Sequence, residues 1–259
     1  MFKQIARYLI TASLVAGLSG CVSGGGKVSP QEENALGAQQ ERQILSKVRT
    51  IKSGKLYYAV RNVGSRIARV ANRPDFQWSY HLVDDPKVAN AFVLPGGKVF
   101  VYSGLFRYAS NENELAVVIA HEIAHALKSH GVEGAQRKQT AGLLGAVLQV
   151  GMGVAGVDPT TAKQVSTIYN QGATLGYIRP HSRKDEYEAD SLGLMLMAKA
   201  GYDPRAALTF WDKFGKTGQS VPEYLSTHPD PRNRIANIKR LMPQALALYE
   251  KSRKRYARR

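Results

Sequence analysis

The chain has a single cysteine, Cys21, in 259 residues, so no internal disulfide can form. Acids are scarce: 20 Asp and Glu stand against 36 Lys and Arg, a formal charge of +16. Such a balance suits nucleic acid or anionic lipid. Here the basic residues are spread along the chain rather than gathered in one patch interleaved with aromatics, so charge alone names no partner. Long apolar runs are missing too. A spanning helix wants about 20 apolar residues; Tyr8–Leu18 falls short of that, and Ala141–Val157 is short and carries Gln149. What is present is 44% hydrophobic content, enough for a real core in one or two domains.

The N-terminal apolar run has a processing signature. Lys3 and Arg7 precede it, small residues follow it, and residues 1–20 read as a signal peptide. Leu18-Ser19-Gly20-Cys21 resembles the lipobox of bacterial lipoproteins, in which the cysteine is lipidated and becomes the new N-terminus. That reading accounts for the lone cysteine; the rival is an incidental thiol after an uncleaved anchor. By the same resemblance, Val22 rather than Asp after the cysteine favours outer-membrane sorting in enteric bacteria. Residues 21–31 form the lipidated N-terminus and a flexible tether, whose ten residues after the cysteine reach roughly 17–19 Å.

The strongest pattern is Ala120–Lys128, AHEIAHALK. On an α-helix His121 and His125 point the same way, about 40° apart. Two imidazoles so placed can share one tetrahedral metal, while Glu122 can reach a water on it without being a ligand. This is the HExxH pattern of zinc hydrolases. The preceding NENELAVVI continues as a helix, with Leu115, Val118, Ile119 and Ile123 at helical spacings. Asn111 or Asn113 is the expected N-cap, and Gly131 the expected helix stop. A metzincin would need Gly at 128 and His at 131; the chain has Lys128 and Gly131, which excludes that class. His130 reads as a helix-end residue facing solvent or a backbone carbonyl.

Around this motif the periodicity predicts helices over Glu32–Arg49 and Lys55–Asn72, the second with Leu56, Val60, Val63, Ile67 and Val70 on one stripe. Strands are expected at Phe76–Val83, Asn90–Leu94 and Lys98–Tyr102, the last two joined by the turn Pro95-Gly96-Gly97. His81 reads as structural, and Ser103–Tyr108 as a short helix. Ala141–Val157 reads as a glycine-rich helix packed through small residues, with a loop at Gly151–Gly156; contact with a membrane or a substrate groove is the other reading. Asp158-Pro159-Thr160 starts another helix. The fold class is α+β: a mainly helical domain over 32–259 with a small antiparallel sheet beside the active-site helix.

A zinc hydrolase of this kind needs one more protein ligand and a position left for water. Pro180–Leu194, PHSRKDEYEADSLGL, offers it. Glu186 and Asp190 are four apart and share a helical face. Glu186 can ligate while Asp190 accepts a hydrogen bond from a ligand histidine's other ring nitrogen. Asp185 and Glu188 lie about 100° and 200° away around the helix. Without the HExxH motif, the same stretch would read as an ordinary charged helix face.

HEIAH followed by SRKDEYEAD resembles the gluzincin metallopeptidases related to HtpX and the CAAX prenyl proteases. NAF…PGGKVFVYSGL upstream and STHPDPRNRI downstream fit the same pattern, so the resemblance spans about Glu32–Pro243. With the lipobox, it is similar to the periplasmic lipoprotein branch. The resemblance implies one Zn2+ held by His121, His125 and Glu186, with Glu122 as general base. It also implies that His228 faces the active site with Arg234 near it. A cationic or hydrogen-bond-donating group there would stabilise the oxyanion of a tetrahedral intermediate. A turn residue before two prolines is the plain reading of His228. The implied substrates are unfolded or misassembled cell-envelope proteins. They would be cleaved as extended strands along an edge near Lys98–Tyr102, by an enzyme anchored to the membrane through Cys21.

Two rival classes remain at this point. One is a zinc-containing assembly chaperone or scaffold with little proteolysis. The other is a nucleic-acid-binding protein, which export away from the cytoplasm argues against. The tail Lys251–Arg259, with six basic residues in nine, reads as a solvated, frayed helix end, with anionic headgroups as its other possible contact. Only 31 residues follow His228, too few for one 34-residue tetratricopeptide repeat, so a protease domain alone is expected.

Overall fold

The computed structural model describes residues 28–130, 182–215, 228 and 231–257. The signal peptide, Cys21, Ala141–Val157 and the Asp158 helix start lie outside the described residues. No helix among the described residues is long and apolar enough to cross a membrane.

Helix α1 is Pro30–Leu45. It starts two residues before the expected position because Ser29 and Glu32 form a reciprocal capping box with Pro30 at the first helical position. It ends earlier than expected because the chain turns at Ser46 and pairs Thr50–Ile51 (β1) with the sheet. Helix α2, Lys55–Ala71, ends where Asn72 adopts a left-handed conformation, φ 54°. Its buried stripe is Val60, Val63, Gly64, Ile67 and Ala68.

Strands β2 (Ser79–Val83), β3 (Ala91–Leu94) and β4 (Lys98–Tyr102) lie within the expected ranges. β3 and β4 form the expected antiparallel hairpin, and Gly96 and Gly97 have φ +69° and +84°, values that favour glycine. The sheet is mixed rather than antiparallel throughout. Its order is β1-β2-β4-β3, with β2 parallel to β4. The link from β2 to β3 passes over the place that β4 fills, so β4 is internal. Lys98–Tyr102 is therefore not an edge. Among the described residues β3 is paired on one side only.

The period-2 alternation of these strands divides two apolar layers. Leu82, Ala91, Val99 and Val101 join the main core with α2 and the active-site helix α3, Glu112–Leu127. Val83, Phe92, Leu94 and Phe100 meet Ile44, Leu45 and Val48 in a second cluster where α1 ends. His81 lies by this second layer, Nε2 at 2.7 Å from Glu41 and its ring 4.7 Å from that of Phe100, in the structural role expected of it.

A 3-10 turn at Ser103–Arg107 leads to α3, whose N-cap is Asn111; its side chain accepts from the Glu114 amide. Helix α4 is Arg183–Lys199, capped by Ser182 in a box with Asp185. Helices α5 (Ala206–Gly215) and α6 (Pro231–Ala257) complete the described chain. A Cβ at Gly193 of α4 would sit 3.0 Å from the Ala120 carbonyl and the His121 amide. That missing side chain lets α4 press against the metal-motif turn of α3. α6 runs through Pro243 to Ala257, and Ser252 is buried with Oγ donating to the Ala198 carbonyl at 2.7 Å. The start of the basic tail is therefore packed helix rather than a frayed end.

Candidate metal centre

Nearly the whole of α3 is buried, including His121, Glu122 and His125. Four-residue spacing puts both imidazoles on the side that α4 approaches. Their Nε2 atoms are 3.0 Å apart, and Glu186 Oε2 and Oε1 lie 3.4 and 3.3 Å from them. Donors held about 2.0–2.2 Å from one tetrahedral ion lie roughly 3.3–3.6 Å from each other. These three groups therefore have close to the mutual spacing of a zinc set. With His228 they form a group of four buried donors whose ligating atoms all lie within 4.8 Å of one another.

Two further observations fit a divalent cation. Glu186 Oε1 accepts no hydrogen bond among the described residues, although the carboxylate is buried. An orphaned buried acceptor is costly unless something positive meets it. Glu122, Glu186 and Asp190 also bring three carboxylates against one buried cation, Arg234. With neutral histidines this leaves a net charge of −2, which a divalent ion cancels. Burial pushes the His121 pKa down and so does Arg234, yet Glu186 and Asp190 overcome both and raise it to about 9. The field that draws a proton onto this ring is one that attracts a cation. Burial also works against the charged form of Glu186, and the surrounding histidines outweigh it, so its carboxyl stays far below the ordinary range.

Asp190 takes its expected place, with Oδ1 3.0 Å from His121 Nδ1. If Nε2 faces the metal, Nδ1 carries the proton and donates to Asp190. Burial would raise the Asp190 pKa, but Arg234 and His121 hold it below the ordinary value.

Arg234 is buried within this cluster, and it is not directed as a group facing a substrate carbonyl would be. Its Nε and Nη2 grip Asp190 at 2.7 and 2.6 Å, Nη1 is 2.6 Å from Glu186 Oε2, and its Cζ lies 4.1 Å from the centre of the Trp211 ring. A guanidinium in this bidentate fork orients the two acidic side chains of α4. Nη1 also reaches the His228 carbonyl at 3.4 Å, tying that residue to α6.

His228 is buried, with Nε2 3.2 Å from Glu122 Oε1. Burial holds its pKa well below 6.5. A neutral ring there can donate to Glu122 or ligate a metal through the same nitrogen, but not both at once.

His130 departs from expectation. It is buried, and its Nδ1 lies 2.8 Å from His125 Nδ1. The reason is that α3 stops at Leu127 rather than at Gly131. Ser129 then takes φ +53°, and the chain swings His130 back under the helix. Glu188 is also engaged: it pairs with Lys128, and its Oε2 lies 3.5 Å from His130 Nε2.

Comparisons with known proteins lead to metallopeptidases. Residues 57–242 match the model of Peptidase family M48. The chain is 36% identical over 197 residues to the mitochondrial metalloendopeptidase OMA1 of Schizosaccharomyces pombe, covering 74% of this chain and 55% of that protein. To the mitochondrial OMA1 metalloendopeptidase of Homo sapiens it is 38% identical over 178 residues, covering 67% and 34% respectively. The Beta-barrel assembly-enhancing protease of Escherichia coli is 29% identical over 261 residues, covering 92% of this chain and 53% of that protein. The chain thus spans about half the length, or less, of these relatives.

Proposed function

From the premise that this chain belongs to Peptidase family M48, we propose that it is a zinc-dependent endopeptidase. Its substrates, on this reading, are unfolded or misassembled cell-envelope proteins. The observation that carries the proposal is the buried set of His121, His125 and Glu186 with Glu122 at its edge. Bound Zn2+ would acidify a water and polarise the scissile carbonyl. Glu122 takes the proton of the attacking water and delivers it to the leaving amine. Asp190 holds the tautomer of His121, and Arg234 holds Asp190 and Glu186 in place, a positioning role. His228 acts on the charge that develops on the carbonyl oxygen. An extended substrate would lie along β3, the edge strand that packs against α3. The E. coli relative, named for enhancing β-barrel assembly, supports an envelope substrate class.

The kinetic test uses a fluorogenic peptide, with zinc content measured alongside. Glu122→Gln is expected to keep its zinc and lose roughly 10²–10⁴-fold in turnover. Near-normal turnover would refute the protease reading and favour a zinc-containing assembly scaffold. His228→Phe is expected to lower kcat and kcat/KM together by about 10²–10³-fold. Loss of zinc from that variant would instead make His228 a ligand, the role its place in the donor set allows.

The location proposed is the periplasm, with the protein held to the outer membrane by lipid on Cys21. The lipobox sequence supports this. Mass spectrometry of the purified membrane form is expected to find a lipidated N-terminus at Cys21, abolished by Cys21→Ala. An unmodified chain beginning elsewhere would sink the idea.

A further inference from the structure

The two histidines of the motif are not supported in the same way. His121 leans on a carboxylate, Asp190, at 3.0 Å. His125 has Nε2 turned to the donor cluster and Nδ1 turned to another imidazole, that of His130, at 2.8 Å. Both rings are buried, His125 at 1% and His130 at 3% exposed. Two imidazole nitrogens at that distance share one proton: one donates and the other accepts. Beyond His130, Nε2 faces Glu188 Oε2 at 3.5 Å and Asp185 Oδ1 at 3.9 Å. Both acids belong to α4, the helix that supplies Glu186.

We infer that His130 is a positioning residue for the metal, accepting at Nδ1 the proton of His125 Nδ1 and handing its own Nε2–H toward the Glu188 and Asp185 carboxylates. The inference rests on the reading of His121, His125 and Glu186 as ligands. The argument is one of proton direction. A ligand nitrogen must present a lone pair, so His125 Nε2 carries no proton and Nδ1 carries the only one. That forces His130 Nδ1 to accept, and a neutral imidazole accepting at Nδ1 has its proton on Nε2. At Nε2 the described residues present it with two carboxylates, one of them capping α4 and the other paired with Lys128. The chain of donors and acceptors runs one way from the metal position to α4. The opposite tautomer of His130 would set two N–H groups head to head at 2.8 Å and point a lone pair at carboxylates. His130 thereby fixes the rotation of the His125 ring and raises its basicity, as partners of ligating imidazoles generally do. The acceptor here is a neutral ring where His121 has an ion, so the two ligands are not equivalent.

Two measurements test this on the full chain. The first is zinc affinity by competition with a chromophoric chelator. His130→Leu removes the acceptor and should weaken zinc binding about 10–100-fold. His130→Asn places an amide oxygen where Nδ1 stood and should restore affinity to within about threefold of wild type. A purely space-filling role would not distinguish them in this direction, since leucine fills the site at least as well as asparagine. An affinity for His130→Leu within about twofold of wild type, or an asparagine variant as weak as the leucine one, overturns the inference. Wild-type protein that bound no stoichiometric zinc would fail the metal reading instead, and so is a separate outcome. The second measurement needs no variant and holds if His130→Leu does not fold. Long-range ¹H–¹⁵N spectra of zinc-loaded wild-type protein should show His125 protonated at Nδ1 and His130 protonated at Nε2 alone. Protonation of His130 at Nδ1 overturns it.

Discussion

At the scale of single residues, the centre separates carboxylates by what each one meets. Glu186 and Glu188 are two positions apart on α4, yet Glu186 is buried among histidines and Arg234 while Glu188 is paired with Lys128 at the rim. Glu186→Ala is expected to lose most bound zinc and leave Arg234 facing a gap. Glu188→Ala is expected to hold a full equivalent at saturating zinc. Metal analysis of the two purified variants checks this, and equal zinc content in both would overturn the ligand assignment. The clustering of these side chains was legible in the sequence because it follows the helical repeat: four residues bring His121 to His125 and Glu186 to Asp190. His130 was not legible. Five residues from His125, it would lie about 140° away around a continuing helix. Only the break at Ser129, φ +53°, brings its ring to His125, and no local signal announced that break. Arg234 was visible as a neighbour of the site but not as the clamp it is, because its partners lie on a helix far away in sequence.

At the scale of elements, the centre depends on how α3 is held. Its first turn is tied to α5 through Glu114, which accepts from the Ser110 amide and hydroxyl, both at 2.8 Å, and from Lys213 Nζ at 2.6 Å. Burial alone would raise the Glu114 pKa. The Lys213 and Ser110 contacts outweigh burial and hold it below the ordinary value of 4.5. A carboxyl depressed in the folded state stabilises it above the unfolded pKa, and that stability is lost as pH falls through the folded value. The difference in unfolding free energy between wild type and Glu114→Gln, from urea titrations, should therefore be largest at neutral pH, on the order of 1–3 kcal/mol. It should narrow below about pH 4.5 as the carboxyl protonates. A difference that stays constant from pH 7 to pH 3 would contradict this; titration of the metal ligands is common to both proteins and cancels. Strand and helix periods were readable along the chain, and so was the β3–β4 hairpin from Pro95-Gly96-Gly97. The parallel pairing of β2 with β4 was not, because it depends on a crossover rather than on a turn. In the sequence Gly193 is only a weak helix former inside a helical stretch. What it approaches, the Ala120–His121 turn, is information only the fold holds.

At the scale of the whole molecule, removing the metal should be felt as stability as well as activity. Without a cation, the described residues set against the three carboxylates only Arg234 and the proton that His121 takes up. An ion held at about 1,000 times its dissociation constant adds roughly 4 kcal/mol, worth about 10 °C in Tm for a chain of this size. Thermal unfolding followed by circular dichroism, with and without a chelator and with zinc added back, checks this. A Tm unchanged within about 2 °C would mean that the ligands are satisfied without a metal.

The proposed ligands come from separate stretches: His121 and His125 on α3, and Glu186 on α4. An ion bridging them would close the long segment between His125 and Glu186 into a ring. Closing a long loop removes conformational freedom from the unfolded chain, as a disulfide does. The one cysteine, Cys21, has no partner in the chain with which to form such a link. The centre would then serve as the molecule's reversible staple, set by zinc supply rather than by redox conditions. A protein built this way would lose its staple and its chemistry in the same event, so that a zinc-starved copy would become a substrate for proteases instead of acting as one.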